Sequence, residues 1–351
     1  MRRGKPIWRH SHRRQVKAAI TCRVVALSLA LIALVGSSAF AVEKPSTRRV
    51  EPDNGWDSRW FDYDPSKPII ASETTPTDEQ LDFWKRPPQM AAVSVRAGEV
   101  NQAAARAMGD VEFLHLRFRD TQGEDVPVLL CKPRGKAGPF PVVIAIHGVG
   151  SNKAQICGAW MREMARHGFA MIALDLPVHG ERPGDPADFL KAPDFAKIFA
   201  LCRQAVVDVR MCIDVAEGRK DLDTRRGVAL AGYSLGALVS SVAGPVDERV
   251  KVLVLVAGGT PELPAVYSLL PGLRAVQPQL SIPHFAGRAL LMLNGTRDQA
   301  ITRDMGERLF AAAEQPKEQK WFECGHDLPE EATEAAAAWI ERAWKELKQT
   351  K

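Results

Sequence analysis

The stretch Arg226-Gly227-Val228-Ala229-Leu230-Ala231-Gly232-Tyr233-Ser234-Leu235-Gly236-Ala237-Leu238-Val239-Ser240-Ser241-Val242-Ala243-Gly244 decides the reading of this chain. Its first third is a short apolar run that predicts a buried strand, and residues 237–243 predict a helix closed by Gly244. Between them Gly232-Tyr233-Ser234-Leu235-Gly236 fits G-x-S-x-G. A serine on a tight strand-to-helix turn is a nucleophile elbow. The turn is sharp, so the positions two before and two after the serine must be small, and here both are Gly. The helix that follows directs its free N–H groups toward the serine, where negative charge develops during acyl transfer.

A serine hydroxyl needs a base, and the base needs an orienting group. With this elbow the expected chain order is Ser, acid, His. Residues 289–293 (Ala-Leu-Leu-Met-Leu) predict a strand that ends in Asn294-Gly295-Thr296-Arg297-Asp298, placing Asp298 in a loop at a strand's C-terminal end, where ligands and catalytic groups collect in open α/β sheets. Residues 320–323 predict another strand, followed by Cys324-Gly325-His326-Asp327-Leu328-Pro329 and a final helix. The assignment is Ser234 as nucleophile, His326 as general base and then acid, and Asp298 as the group that orients the imidazole. Singly, Asp298 also reads as a helix N-terminal residue and His326 as an ordinary loop histidine. The order of all three, each at a predicted strand end, favours the catalytic reading. Glu262 is the alternative acid.

Residues 141–146 (Pro-Val-Val-Ile-Ala-Ile) are a β-branched run of the kind buried on both faces of a parallel sheet, and they lead into His147-Gly148-Val149-Gly150. A His-Gly turn after such a strand supplies a backbone donor to an oxyanion hole. The expected donors are the N–H groups of Val149 and Leu235. The competing reading, a dinucleotide turn beginning at Gly148, needs a small residue at position 153, and Lys stands there.

With these residues in hand the chain resembles a serine hydrolase of the α/β-hydrolase superfamily, and within it the dienelactone-hydrolase-like and acetyl-esterase-like branch. The matching residues are His147-Gly148, the run from Asp175 to Arg182 (Asp-Leu-Pro-Val-His-Gly-Glu-Arg), the elbow at Ser234, Gly295-Thr296-Arg297-Asp298 and Gly325-His326-Asp327-Leu328-Pro329. The resemblance covers roughly residues 110–347. It implies an α/β fold with a mostly parallel central sheet, helices on both faces and a small cap insertion. It also implies hydrolysis of carboxylic esters through an acyl-enzyme, with no cofactor. The nucleophile is Ser234 where dienelactone hydrolases carry Cys. Leu235, Gly236 and Ala237 replace the Gln and the Gly pair usual in acetyl xylan esterases, so neither family's substrate is carried over.

The chain has 351 residues, 46% of them apolar and 25% charged, which suits one large α/β domain with an N-terminal extension. Residues 1–41 hold eight basic residues and no acidic one; without them the formal charge falls from +5 to −3, which removes any argument for nucleic-acid binding. A basic segment, the apolar run 24–35 and Ala39-Phe40-Ala41 form a signal peptide with cleavage expected after Ala41, giving a periplasmic or secreted protein. The apolar run is short for a membrane span, and an uncleaved anchor is the alternative. Arg13-Arg14 occupies the twin-arginine position, and both export routes stay open. Removal of residues 1–41 leaves Cys131, Cys157, Cys202, Cys212 and Cys324, an odd number. Cys202 and Cys212 lie ten apart on one predicted helix, roughly 15 Å along its axis, and cannot bond each other. No C-x-x-C or His/Cys cluster has zinc spacing, so no metal is expected.

Residues 42–109 are expected as an extension packed on the core, pinned by Trp56, Trp60, Phe61, Tyr63 and Trp84, with a capping box at Thr77-Asp78-Glu79-Gln80. Residues 110–351 alternate strands and helices, as a doubly covered parallel sheet requires. They open with a hairpin turning near Gln122-Gly123. The stretch 259–287, with five Pro, interrupts the alternation and is expected as a small cap over the active site. Loop 177–193 lies at the same end, and His179 there reads either as a substrate contact or as a support for the loop. Three functions compete: an exported carboxylesterase on small or carbohydrate-linked esters, a peptidase of the oligopeptidase type, and an exported non-catalytic binding protein. The peptidase relatives usually add a large propeller, and residues 42–109 are too few to build one. No stable membrane partner is expected after signal cleavage.

Overall fold

The apolar runs form the centre of a ten-stranded sheet. The computed structural model describes residues 54–65, 69, 71–76, 109–189, 194–261 and 269–349. The strands are β1 (Ser72–Thr74), β2 (Val111–Arg119), β3 (Asp125–Pro133), β4 (Phe140–Ile146), β5 (Ala170–Leu174), β6 (Leu222–Asp223), β7 (Val228–Tyr233), β8 (Val250–Val256), β9 (Ala289–Gly295) and β10 (Lys317–Phe322). Their spatial order is β1-β2-β3-β5-β4-β7-β8-β9-β10, with the short β6 beside the start of β4. The pairings β1–β2, β2–β3 and β3–β5 are antiparallel, and those from β5–β4 through β9–β10 are parallel.

The helices are α1 (Lys153–Arg166), α2 (Phe195–Glu217), α3 (Leu235–Val246), α4 (Pro271–Ala275), α5 (Pro278–Ser281), α6 (Arg303–Ala312) and α7 (Glu330–Gln349). Successive strand residues point to opposite faces, and the chain fills both. On one face Val142, Ile144, Ile146, Leu230, Leu253 and Met292 pack with Val206, Val209 and Ile213 of α2 and Val239 and Val242 of α3. On the other, Val143, Ala145, Ala229, Ala231 and Val254 meet Trp160, Met161 and Met164 of α1 and Trp339, Ile340 and Trp344 of α7. Alanine at 145, 229 and 231 leaves room for the tryptophans.

Local signals set the element ends. The hairpin closes where Asp120 Oδ1 accepts from the N–H groups of Gln122 and Glu124, with Gly123 at φ 83°. Helix α1 begins where the Asn152 side chain accepts from Gln155 N–H at 3.0 Å, and it ends before Gly168, which takes φ 79°. Helix α3 departs from expectation by continuing through Gly244 and Pro245 to Val246. Gly244 packs closely on β8, where a Cβ on it would lie 3.2 Å from the Leu253 side chain. β1 and β6, three and two residues long, are too short for periodicity to signal them.

Residues 54–65 lie against α2 and the 271–281 helices, while β1 pairs with β2 at the sheet edge. Phe61 is fully buried, Trp56 Nε1 donates to Ala275 O at 2.8 Å, and Arg210 donates to Phe61 O at 2.7 Å. Thr77–Gln80, Trp84, Glu262 and residues 1–41 lie outside the described residues. Residues 262–268, within the stretch expected as a cap, lie outside the described residues. Residues 278–285 run along the C-terminal half of α3, where Ser281 Oγ donates to Ser241 O at 2.9 Å, while 271–275 pack beside Phe199 of α2 and Trp56. Ile282 and Phe285 are buried in the core there.

Ile144 is fully buried in the central strand between β5 and β7. Replacing it with alanine removes apolar burial and leaves a cavity, so Ile144→Ala is expected to lower unfolding stability by about 2–5 kcal/mol in urea titrations.

Candidate active site

Gly232 and Gly236 have a steric reason to be glycine. A Cβ on Gly232 would stand 2.2 Å from Gly236 O, and one on Gly236 would stand 2.1 Å from Ile146 O. The start of α3 is therefore pressed against the end of β4. Ser234, at the apex, takes φ 54° and ψ −112°, a region that side chains other than glycine rarely occupy. Its N–H donates to Val256 O at 2.9 Å, which ties the turn to β8. Ala257, directly after β8, is also at positive φ, 48°. Backbone strain thus gathers at the C-terminal ends of the parallel strands.

Ser234, His326 and Asp298 come together there. His326 Nε2 is 2.9 Å from Ser234 Oγ, and His326 Nδ1 is 2.7 Å from Asp298 Oδ2. The Asp298 side chain is fully buried, while that of His326 keeps 22% of its surface exposed. Asp298 Oδ1 accepts from the N–H groups of Ala300 and Ile301 at 2.8 and 3.0 Å. One carboxylate oxygen thus holds the loop and the other faces the imidazole. The cap of α6 is Thr302, not Asp298. The arrangement fixes a tautomer: Nδ1–H donates to the carboxylate and Nε2 is left to accept from the serine hydroxyl.

Two features of this constellation had no signal in the spacing rules. A Cβ on Gly295 would stand 2.1 Å from Gly325 O, so Gly295 lets the aspartate and histidine loops touch. The N–H groups of Thr296 and Arg297 complete the seam by donating to Phe322 O and Cys324 O at 2.8 and 2.9 Å. The second feature is Tyr233, whose hydroxyl lies 3.2 Å from both His326 O and Asp327 Oδ1, with its ring beside the imidazole. Burial and the neighbouring Asp327 keep this phenol neutral by raising its pKa well above the ordinary value.

The His147–Gly150 turn lies against the serine. A Cβ on Gly148 would come within 3.4 Å of the Ser234 Cβ. The Leu235 N–H opens α3 and has no intrahelical acceptor, and the Val149 N–H meets no backbone acceptor among the described residues. His147 is buried and shapes the turn. Its Nε2 accepts from Leu176 N–H at 3.1 Å, which leaves Nδ1–H to donate to Gly148 O at 2.8 Å. Burial, with the neighbouring His179, pushes its pKa down to about 3.

A buried charge cluster braces this turn from behind. Asp175, fully buried, accepts from the Lys153 N–H and Nζ at 2.8 and 2.7 Å and from Glu181 N–H at 3.0 Å. Burial would raise the Glu181 carboxyl, but the hydrogen bond from His115 and the charge of Lys153 outweigh it and hold the pKa at about 2. Beside it Arg182, with no exposed side-chain surface, pairs with Asp208 and Asp120. His179 is 1% exposed and its Nδ1 lies 2.8 Å from Pro177 O. It therefore supports the loop, the second of the two readings made of it. Among the described residues no group of three His, Cys, Asp or Glu is placed to hold a metal ion.

The alpha/beta hydrolase family model matches residues 143–349, from β4 through the last helix, and the chain belongs to that family. The fold is shared with an acetyl xylan esterase from Paenibacillus sp. R4, at TM-score 0.56 and 17% identity over 74% of this chain and 98% of that one. Acetyl xylan esterase 1 from Thermoanaerobacterium sp. JW/SL YS485 aligns at TM-score 0.53 and 16% identity, over 70% and 94% of the two chains. TT1662 from Thermus thermophilus aligns at TM-score 0.53 and 25% identity, over 62% and 93%. A comparison with curated proteins finds no match.

The neutral His147 gives a pH prediction. The folded ring binds its proton only near pH 3, whereas an unfolded histidine does so near 6.5, so the unfolded chain holds more protons between those values. Stability is therefore lost as pH falls through this window, by about 1.4 kcal/mol per unit from this group. Ring-nitrogen NMR should find His147 neutral and Nδ1-protonated at pH 5; a ring that titrates near 6.5 would contradict this.

Proposed function

We propose that this chain is an exported serine hydrolase of carboxylic esters, acting through Ser234, His326 and Asp298. The observation that carries the reading is the single imidazole placed within hydrogen-bond distance of both a strained serine and a buried carboxylate. Ser234 Oγ attacks the ester carbonyl carbon as His326 Nε2 takes its proton. Asp298 holds the ring and stabilises the imidazolium that forms. The carbonyl oxygen becomes an oxyanion facing the N–H groups of Val149 and Leu235, each donor lowering the barrier by about 3–4 kcal/mol. His326 then returns the proton to the leaving alcohol, giving the acyl-enzyme. Water, deprotonated by the same imidazole, releases the acid and restores Ser234.

Small acyl esters, free or carried on carbohydrate, are the proposed substrates. The elbow and the His147-Gly148 turn support ester hydrolysis, and the acetyl xylan esterases share the fold without lending their substrate to this chain. The proposal needs no cofactor. Residues 1–41 serve as an export signal removed after Ala41, residues 42–109 pack on the catalytic domain, and residues 110–351 carry the chemistry.

Hydrolysis of a p-nitrophenyl ester series from acetate to palmitate tests the proposal. Activity is expected to peak at short chains and to fall at least about 10³-fold in Ser234→Ala, with the circular dichroism spectrum unchanged. Asp298→Asn should lose roughly 10³–10⁴-fold in kcat by leaving the imidazole in the wrong tautomer. Wild-type rates in Ser234→Ala would sink the assignment. A folded wild-type protein inert on every ester, yet labelled at Ser234 by a fluorophosphonate, would redirect it to peptide substrates.

A further inference from the structure

Cys131, on β3, and Cys157, on α1, face each other across the packing between that strand and helix. Their Sγ atoms are 3.4 Å apart. Both residues are buried, at 3% and 0% exposure, within the apolar cluster formed by Phe113, Leu129, Met161 and Met171. Two neutral thiols in such surroundings gain only a weak S–H···S contact. A disulfide needs the two Sγ atoms to approach to about 2.05 Å, and the strand and helix that carry them are already in contact. The two cysteines are 26 residues apart, and that loop contains all of β4, the His147–Gly150 turn and the start of α1.

We propose that Cys131 and Cys157 form a disulfide that fastens α1 to β3 when the chain folds in the presence of a disulfide oxidant. The oxidant is a small-molecule or protein disulfide. One cysteine thiolate attacks a sulfur of the oxidant, whose S–S bond breaks to release one thiol, and a mixed disulfide forms. The second cysteine thiolate attacks the protein sulfur of that mixed disulfide and releases the second thiol. Two protein thiols lose two electrons and two protons in total, and one disulfide is reduced to two thiols. The exchange belongs to folding, before the pair is enclosed, because burial raises the Cys131 pKa well above its ordinary value and holds the thiol protonated. The bond restrains the unfolded chain and anchors the helix that begins at Asn152, directly after the turn facing Ser234.

The test is to refold the reduced full chain with oxidised glutathione, alkylate it in denaturant, and digest it with trypsin without reduction. Peptides 120–134 and 154–162, which carry the two cysteines, are expected as one linked species lighter than their sum by two hydrogens. They should separate and become alkylated only after reduction. Reductant should also lower the thermal midpoint of the refolded protein by about 5–10 °C, and Cys157→Ala should abolish that response. Recovery of both peptides separately alkylated without reduction, from protein with native circular dichroism, overturns the proposal. So does a linkage of either cysteine to a different one.

Discussion

The close approach of α3 to the end of β4 is the constraint on which the rest of the site depends. With a Cβ on Gly236 only 2.1 Å from Ile146 O, no side chain fits between the two backbones. Pressing them together forces Ser234 into its strained conformation and lifts its hydroxyl above the strand ends. The same contact brings the Leu235 N–H beside the His147–Gly150 turn. The strain is held by what surrounds it: a hydrogen bond from Ser234 N–H to β8, a strand buried on both faces, and α3 packed on the sheet. A local conformation that costs of order 1–3 kcal/mol persists because a large core over-determines it.

The same tactic recurs where the aspartate and histidine loops meet. Gly295 lets the backbone at Gly325 come close, and a short run of inter-loop hydrogen bonds fixes the register of Asp298 against His326. Tyr233 reaches from the elbow to the histidine loop and so joins the two halves of the site. Behind the opposite wall, the charges of Lys153, Asp175 and Glu181, with the His115 ring hydrogen-bonded to Glu181, hold the β4 and β5 loops together. Buried ions of this kind are costly unless each is paired, and each of these has a close partner. Their value is in fixing loop geometry, since removing one charge would leave another uncompensated.

Much of the fold was legible because its signals are local. The runs at 141–146, 170–174 and 228–231 are apolar throughout and 250–256 is apolar but for Lys251, as strands buried on both faces tend to be, and each is a strand. Asn152 caps α1 with its side chain, and Gly168, in the left-handed region, follows its end. The failures were equally physical. Gly244 reads as a helix stop, yet α3 runs on through Pro245 to Val246. Nor does the proline-rich pattern of 259–287 show that Ile282 and Phe285 are buried against the core beside α3.

The sequence by itself determined the order of strands and helices, the elbow, and the identity of Ser234, Asp298 and His326 as the residues to watch. Each of these rests on short-range pattern: hydrophobic periodicity, glycines around a serine, a polar residue at a strand end. Only the tertiary structure decided that a single imidazole spans the serine and the aspartate, that Gly295 and Gly325 touch, and that His147 and His179 are buried supports. It alone set Cys131 against Cys157. Those facts depend on residues far apart in the chain being brought within a few ångströms by the packing of the sheet, and no local pattern encodes such distances.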